Sequence, residues 1–161
     1  MSLVLHRHKS KSVIAISLGL EKPKVAILAA VETVNSKMQA TLDAAALCKM
    51  AERGQIQGGI LDGPLAFDNA ISKQAAETKG IKSAVAGDPD ILLAPDLEAG
   101  NILAKQLTFL ANADSAGMVL GARVPVVLTS RADSVRSKIA SCAVAKLVAH
   151  ARRAKPQGAW T

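Results

Sequence analysis

Continuous aliphatic runs alternate along this chain with stretches whose apolar residues recur every three to four positions. Lys24–Ala30 (KVAILAA) predicts a buried strand. Gln39–Arg53 predicts a helix with Leu42, Ala45, Ala46 and Met50 on one face, closed by Gly54. Ile56–Leu61 predicts a second strand, followed by an Asp62-Gly63-Pro64 turn. Asp68 or Asn69 is expected to cap one helix running to Lys79 and stopped by Gly80. Gly87-Asp88-Pro89-Asp90 is read as a loop, Ile91–Ala94 as a third strand and Glu98–Leu110 as a helix. Ala116–Leu120 and Val124–Leu128 are read as strands four and five, and Ala132–Arg153 as the closing helix. This alternation predicts an α/β layered domain with a mostly parallel sheet. Residues 1–12 predict no element, Val13–Leu20 reads as the last turns of a helix, and residues 154–161 read as a tail.

Composition supports that class. Of 161 residues half are apolar, yet only Phe67, Phe109 and Trp160 are aromatic. The core must be Ala, Val, Leu and Ile, as in parallel sheets covered by helices. No apolar stretch approaches a membrane span, and the start of the chain lacks the apolar region of a signal peptide. Cys48 and Cys142 are isolated in helical patterns, so they read as reduced core thiols of a cytoplasmic protein.

The net charge of +7 sits at the two ends, on Arg7, Lys9, Lys11, Lys146, Arg152, Arg153 and Lys155. Without those seven the body holds thirteen basic and thirteen acidic residues. Nucleic-acid binding would need such cations interleaved with stacking aromatics, which are nearly absent. The basic ends read as solvated tails or as contacts to an acidic neighbour or polyanionic small ligand.

Candidate chemistry lies where ligands of open α/β sheets bind, beyond the strands' carboxyl ends. The residues expected there are Glu32 and Thr33, Asp62-Gly63-Pro64, Pro95 to Asn101, and Thr129-Ser130-Arg131. In the last group an apolar run stops at a polar turn just before a helix. Backbone N–H groups, the helix dipole, the Arg131 fork and the Ser130 hydroxyl would together suit an anion. The plain alternative is a helix N-cap at Thr129 or Ser130 with Arg131 solvated. Asn101 and Lys105, four apart, share a helix face and could meet a phosphate, or Lys105 could simply be solvated. Asp88, Asp90, Asp96 and Glu98 could suggest Mg²⁺ but read better as solvated acids and a favourable helix start. No phosphate-cradling G-x-x-x-x-G-K-[ST] or G-x-G-x-x-G occurs. His6, His8 and His150 lie in the basic ends, which argues against a serine hydrolase built on Ser130.

Four strings occur in consistent order, VAILAAVE, GGILDGPLAFDNA, PDILLAPDLEAGNILAK and VLGARVPVVLTSRADS, within a match that runs from about Val13 to Arg153. In these the chain resembles the phosphate acetyl/butyryltransferase family, and looks closer to its butyryltransferase-like members. The resemblance implies a three-layer α/β/α architecture with an isocitrate/isopropylmalate dehydrogenase-like (phosphate acyltransferase) fold, here lacking the N-terminal part. Residues 1–12 would then be a disordered or foreign leader and residues 13–153 the C-terminal region of the family. It implies exchange of an acyl group between coenzyme A and inorganic phosphate through an acyl phosphate, in a cleft between two domains. Coenzyme A would be a substrate, with no cofactor and no metal. The partners implied are acyl-CoA, phosphate and acyl phosphate, in a homodimer or larger homo-oligomer, with no nucleic acid and no membrane. Arg131 would hold the phosphate, Ser130 would stabilise the developing thiolate, and Lys105 with Asn101 would contact the phosphoryl group. Acetyltransferases of the family carry an aspartate in the following helix as base for the thiol. An ungapped reading places Ser137 there, so the base role passes to Asp133, one turn earlier. At half the family length the chain is expected to lack one wall of the cleft, which makes weak or absent activity of the chain alone an expectation too. The alternative is a non-catalytic domain that binds coenzyme A or phosphate or serves assembly. A metal- and NAD-dependent decarboxylating dehydrogenase is disfavoured, because no acidic metal cluster or adenine loop is evident.

Overall fold

The computed structural model describes residues 14–122 and 124–154. The expectations for residues 1–12 and for the tail from residue 155 lie outside the described residues. The described residues divide into two compact units, Glu21–Leu103 and a second that takes in described residues among 14–20 and 104–154.

The first unit is built on three parallel strands, β1 (Lys24–Leu28), β2 (Ile60–Leu65) and β3 (Ile91–Leu93), in the order β2-β1-β3. The central strand is buried on both faces, as its unbroken aliphatic run requires. Val25 and Ile27 pack with Ala44 and Leu47 of α1 (Gln39–Glu52) and with Ile56 and Leu93. Ala26 and Leu28 face the other way, toward Leu65, Ala70 and Val85. Ala70 belongs to α2 (Phe67–Ile71), which is followed by α3 (Lys73–Thr78). Leu103 of α4 (Leu97–Phe109) packs against the same cluster. Helices thus cover both faces, and the layered α/β expectation holds here.

Two expectations fail in this unit. The second strand begins four residues late and runs through Asp62-Gly63-Pro64, which is no turn. Proline is tolerated because β2 is an edge strand and its pairing with β1 shifts between Ala26 and Leu28. Gly63 is required there: a Cβ would stand 2.7 Å from the Ile27 carbonyl oxygen. The helix expected to run unbroken to Lys79 is two. Ser72 turns to extended backbone, and its Oγ accepts from Ala75 N–H at 3.3 Å, capping α3.

In the second unit, β4 (Met118–Val119) and β5 (Val126–Val127) form an antiparallel pair, with Met118 opposite Val127. Strands four and five therefore do not extend the parallel sheet. α5 (Val135–Ala154) packs on β5, burying Ser141 and Val148. Its start is three residues later than the periodicity predicts. The cap is Ser134, whose Oγ accepts from Ser137 N–H at 3.1 Å, and not Thr129 or Ser130. Cys142 is exposed on α5 instead of lying in the core.

Candidate functional site

The turn between β5 and α5 carries most of the predicted site. Gly117 and Leu128 pair just before it, with Leu128 N–H donating to Gly117 O at 3.1 Å. The backbones approach so closely that a Cβ at Gly117 would collide with the Leu128 carbonyl oxygen. Ser141 Oγ accepts from Gly117 N–H at 2.9 Å and donates to Ser137 O at 2.7 Å, tying the hairpin to α5. The chain then leaves β5 through Leu128 and Thr129 into a tight loop.

That loop is closed by Asp133. Its Oδ2 accepts from Ser130 N–H at 2.6 Å, while Asp133 N–H donates back to Ser130 O at 3.1 Å. Ser130 Oγ accepts from Ala132 N–H at 3.3 Å. Arg131 stands exposed in the middle and makes no ion pair among the described residues. The structure thus brings Ser130, Arg131 and Asp133 into one turn.

Ser137 is bound otherwise than Asp133. Its Oγ meets Ser134 Oγ at 3.1 Å and Ser115 Oγ at 3.3 Å. Sequence reasoning named Ser137 but missed its partners Ser115 and Ser134 and the neighbouring Ser141. Their signal was the three- and four-residue spacing of Ser134, Ser137 and Ser141 around the start of α5.

Asn101 and Lys105 do lie four apart on α4, both exposed. The boundary between the units passes between them. The Lys105 ammonium sits 5.8 Å from the centroid of the Phe109 ring, one turn on, and makes no ion pair among the described residues. Lys105 belongs to the unit of the Ser130 turn, and no hydrogen bond among the described residues joins the two.

The other polar groups gathered from strand ends are used inside the first unit. Lys79 bridges Glu32 at 3.3 Å and Asp68 at 3.0 Å, and Asn69 Nδ2 donates to Glu32 at 3.3 Å. The hydrogen bond from Lys79 holds the Asp68 carboxyl below its ordinary value, and Asp68 in turn raises the lysine. At the opposite edge Lys24 pairs with Asp88 at 2.8 Å and its N–H donates to Asp90 at 2.7 Å. Asp96 accepts from Ala99 N–H at 2.8 Å in the first turn of α4. No three His, Cys, Asp or Glu side chains cluster as for a metal among the described residues. Cys48, half-buried under Gly63 O, has its thiol pushed up to about 11, first by burial and then by Asp62 and Glu52.

The family model described as phosphate acetyl/butaryl transferase matches residues 9–146. The chain belongs to this family. A phosphate acetyltransferase of Rhizobium meliloti is 69% identical over 86% of this chain and 44% of its own length. A phosphate butyryltransferase of Clostridium beijerinckii is 50% identical over 85% of this chain and 45% of its own. These identities do not favour the butyryltransferase-like members. A branched-chain phosphotransacylase structure from Enterococcus faecalis V583 superposes with a TM-score of 0.81, at 36% identity, over 93% of this chain and 54% of that one. The chain spans about half the length of the curated relatives it matches. In this family member no helix among the described residues is long and apolar enough to cross a membrane.

Proposed function

We propose that the chain serves acyl exchange between coenzyme A and inorganic phosphate, acting as the Ser130–Arg131 face of a phosphate acyltransferase. One observation carries this: a family turn that presents an exposed guanidinium with no ion pair among the described residues. In the thioester-forming direction the coenzyme A thiolate attacks the acyl carbon of the acyl phosphate. The C–O bond to the phosphoryl group breaks, its electron pair stays on oxygen, and phosphate leaves. Arg131 balances charge on that phosphate through its planar fork. Ser130 donates its hydroxyl to the sulfur as charge changes there. Lys105 contacts the phosphoryl group from α4, on the helix face it shares with Asn101. Positioning of the two substrates and exclusion of water supply the rate, so no cofactor enters. Acetyl and butyryl phosphate are both candidate substrates.

The same reading includes a cytoplasmic location, an isocitrate/isopropylmalate dehydrogenase-like fold and a homodimer or larger homo-oligomer. The two free thiols favour the first. Exposed Val124, Leu128, Val135 and Ile139 favour association.

The test follows thioester formation from acetyl or butyryl phosphate and coenzyme A. It is run with this chain alone and with the N-terminal half of a full-length relative supplied in trans. Turnover is expected when the N-terminal half is supplied, and Arg131→Ala should lower it by about 100-fold or more. No turnover in either arrangement, or an unaffected Arg131→Ala variant, overturns the proposal. Phosphate-dependent thermal stabilisation without turnover would instead assign a non-catalytic binding domain.

A further inference from the structure

We propose that Asp133 is a positioning residue that locks the Ser130–Arg131 turn through the Ser130 amide, and is not the base for the coenzyme A thiol. This rests on the acyl-exchange reading of the turn, and deepens it.

Ser130 and Asp133 exchange two hydrogen bonds, Ser130 N–H to Asp133 Oδ2 at 2.6 Å and Asp133 N–H to Ser130 O at 3.1 Å. The first is short and charge-assisted, the strong kind that an N–H makes to a carboxylate. Together they close the four-residue loop 130–133 and leave Arg131 at its tip. The Ala132 N–H donates to Ser130 Oγ at 3.3 Å, which uses a lone pair of that hydroxyl and leaves its proton free to donate. Asp133 also precedes the Ser134 cap of α5, where a negative charge meets the positive end of the helix dipole.

The half-buried carboxylate therefore occupies a backbone N–H that an anionic ligand would otherwise use. Phosphoryl recognition then falls to side chains, Arg131 foremost, while Asp133 fixes where Arg131 and the Ser130 hydroxyl point. The Oδ2 oxygen is taken by the loop amide and turned into the loop, so the carboxylate serves the turn. Thiol deprotonation passes to solvent, since a thiol near its ordinary value of about 8.5 needs only modest help at neutral pH.

The two roles separate on the conservative variant. An asparagine keeps an oxygen that can accept from Ser130 N–H but cannot act as a base; an alanine can do neither. The full chain, with the relative's N-terminal half supplied where turnover requires it, is assayed for thioester formation as Asp133→Asn and Asp133→Ala. In parallel, the Ser130 amide is followed by ¹⁵N–¹H NMR. Asp133→Ala is expected to lose about 100-fold in rate, to shift the Ser130 amide proton upfield and to speed its exchange about ten-fold. Asp133→Asn should retain the rate to within about five-fold and keep most of the amide protection. An asparagine variant as slow as the alanine one, or a Ser130 amide that does not move in Asp133→Ala, overturns the proposal. The functional reading fails separately. If wild-type chain neither turns over nor binds inorganic phosphate while the amide responds as expected, the lock stands and the acyltransferase reading falls. Arg131→Ala, which should abolish phosphate binding with the Ser130 amide unmoved, reports on that reading alone.

Discussion

The two units of this chain are held together by different physics. In Glu21–Leu103 an aliphatic strand is sandwiched between helices, and Val25, Ala26, Ile27, Leu65 and Val85 are almost completely buried. In the unit that carries the Ser130 turn, Val124, Val126, Val127, Leu128, Val135 and Ile139 are exposed, and short polar bonds hold the hairpin and the turn. Non-directional burial dominates the core of the first unit, whereas directed hydrogen bonds shape the hairpin and the Ser130 turn of the second. A reacting group needs the second kind, because hydrogen bonds fix direction whereas apolar packing fixes only proximity.

The contrast breaks most sharply in the core of the first unit. Leu65→Ala is expected to destabilise that unit by about 3 kcal/mol, from lost burial and the residual cavity. At concentrations where the chain is monomeric, Ile139→Ala in the second unit should cost under about 0.5 kcal/mol, since it is exposed. Amide hydrogen exchange of β1 and α5 reads both, and equal losses would erase the contrast. The thiols offer a second probe. Exposed Cys142 should react with a thiol reagent at pH 8 about 100-fold faster than Cys48, whose thiolate is suppressed by burial. Comparable rates would mean that the first unit is not closed over Cys48. Third, Gly117→Ala should cost about 2 kcal/mol in the second unit, because the added methyl meets backbone that cannot rotate away. Thermal melting of this variant beside Gly54→Ala, where no neighbour lies within 4 Å but the backbone is left-handed, separates collision from strain.

The smallest effect is electrostatic. Asp68 is lowered by Lys79, so its contribution is present above the ordinary carboxyl value and is lost as pH falls through the lowered one. Lys79 is raised by Asp68 and Glu32, so its contribution is present below the ordinary lysine value and is lost as pH climbs through the raised one. Melting temperature should therefore sag below about pH 4 and again above about pH 10.5. Lys79→Met should flatten that part of both slopes, and an unchanged profile would show the pair to be without effect on the first unit.

How much was legible in the chain follows the same division. β1, α1, β3 and α4 lie within a residue or two of where the apolar pattern places them, because each is read from its own burial. β2 was misplaced because Pro64 looks like a turn until an edge position and a shifted register admit it. The single helix ending at Lys79 hid a break, since the Ser72 cap looks like any helical serine. β4 and β5 looked like two more parallel strands, because an apolar run does not reveal its pairing partner. At the site, Ser130 and Arg131 were visible from residue type and from the break between apolar run and helix. Asp133 was assigned the base role only because an ungapped reading puts Ser137 where the resemblance expects an aspartate, whereas its bond to the Ser130 amide needed coordinates.

The sequence by itself determined the buried strand and its covering helices, because hydrophobic spacing encodes burial along one element at a time. It also determined the family and the residues at the turn. Only the tertiary structure decided which strands pair, where α5 begins and what occupies the Ser130 amide. Those are choices among competing hydrogen-bond partners, and a donor's partner is settled by distance and angle rather than by residue type.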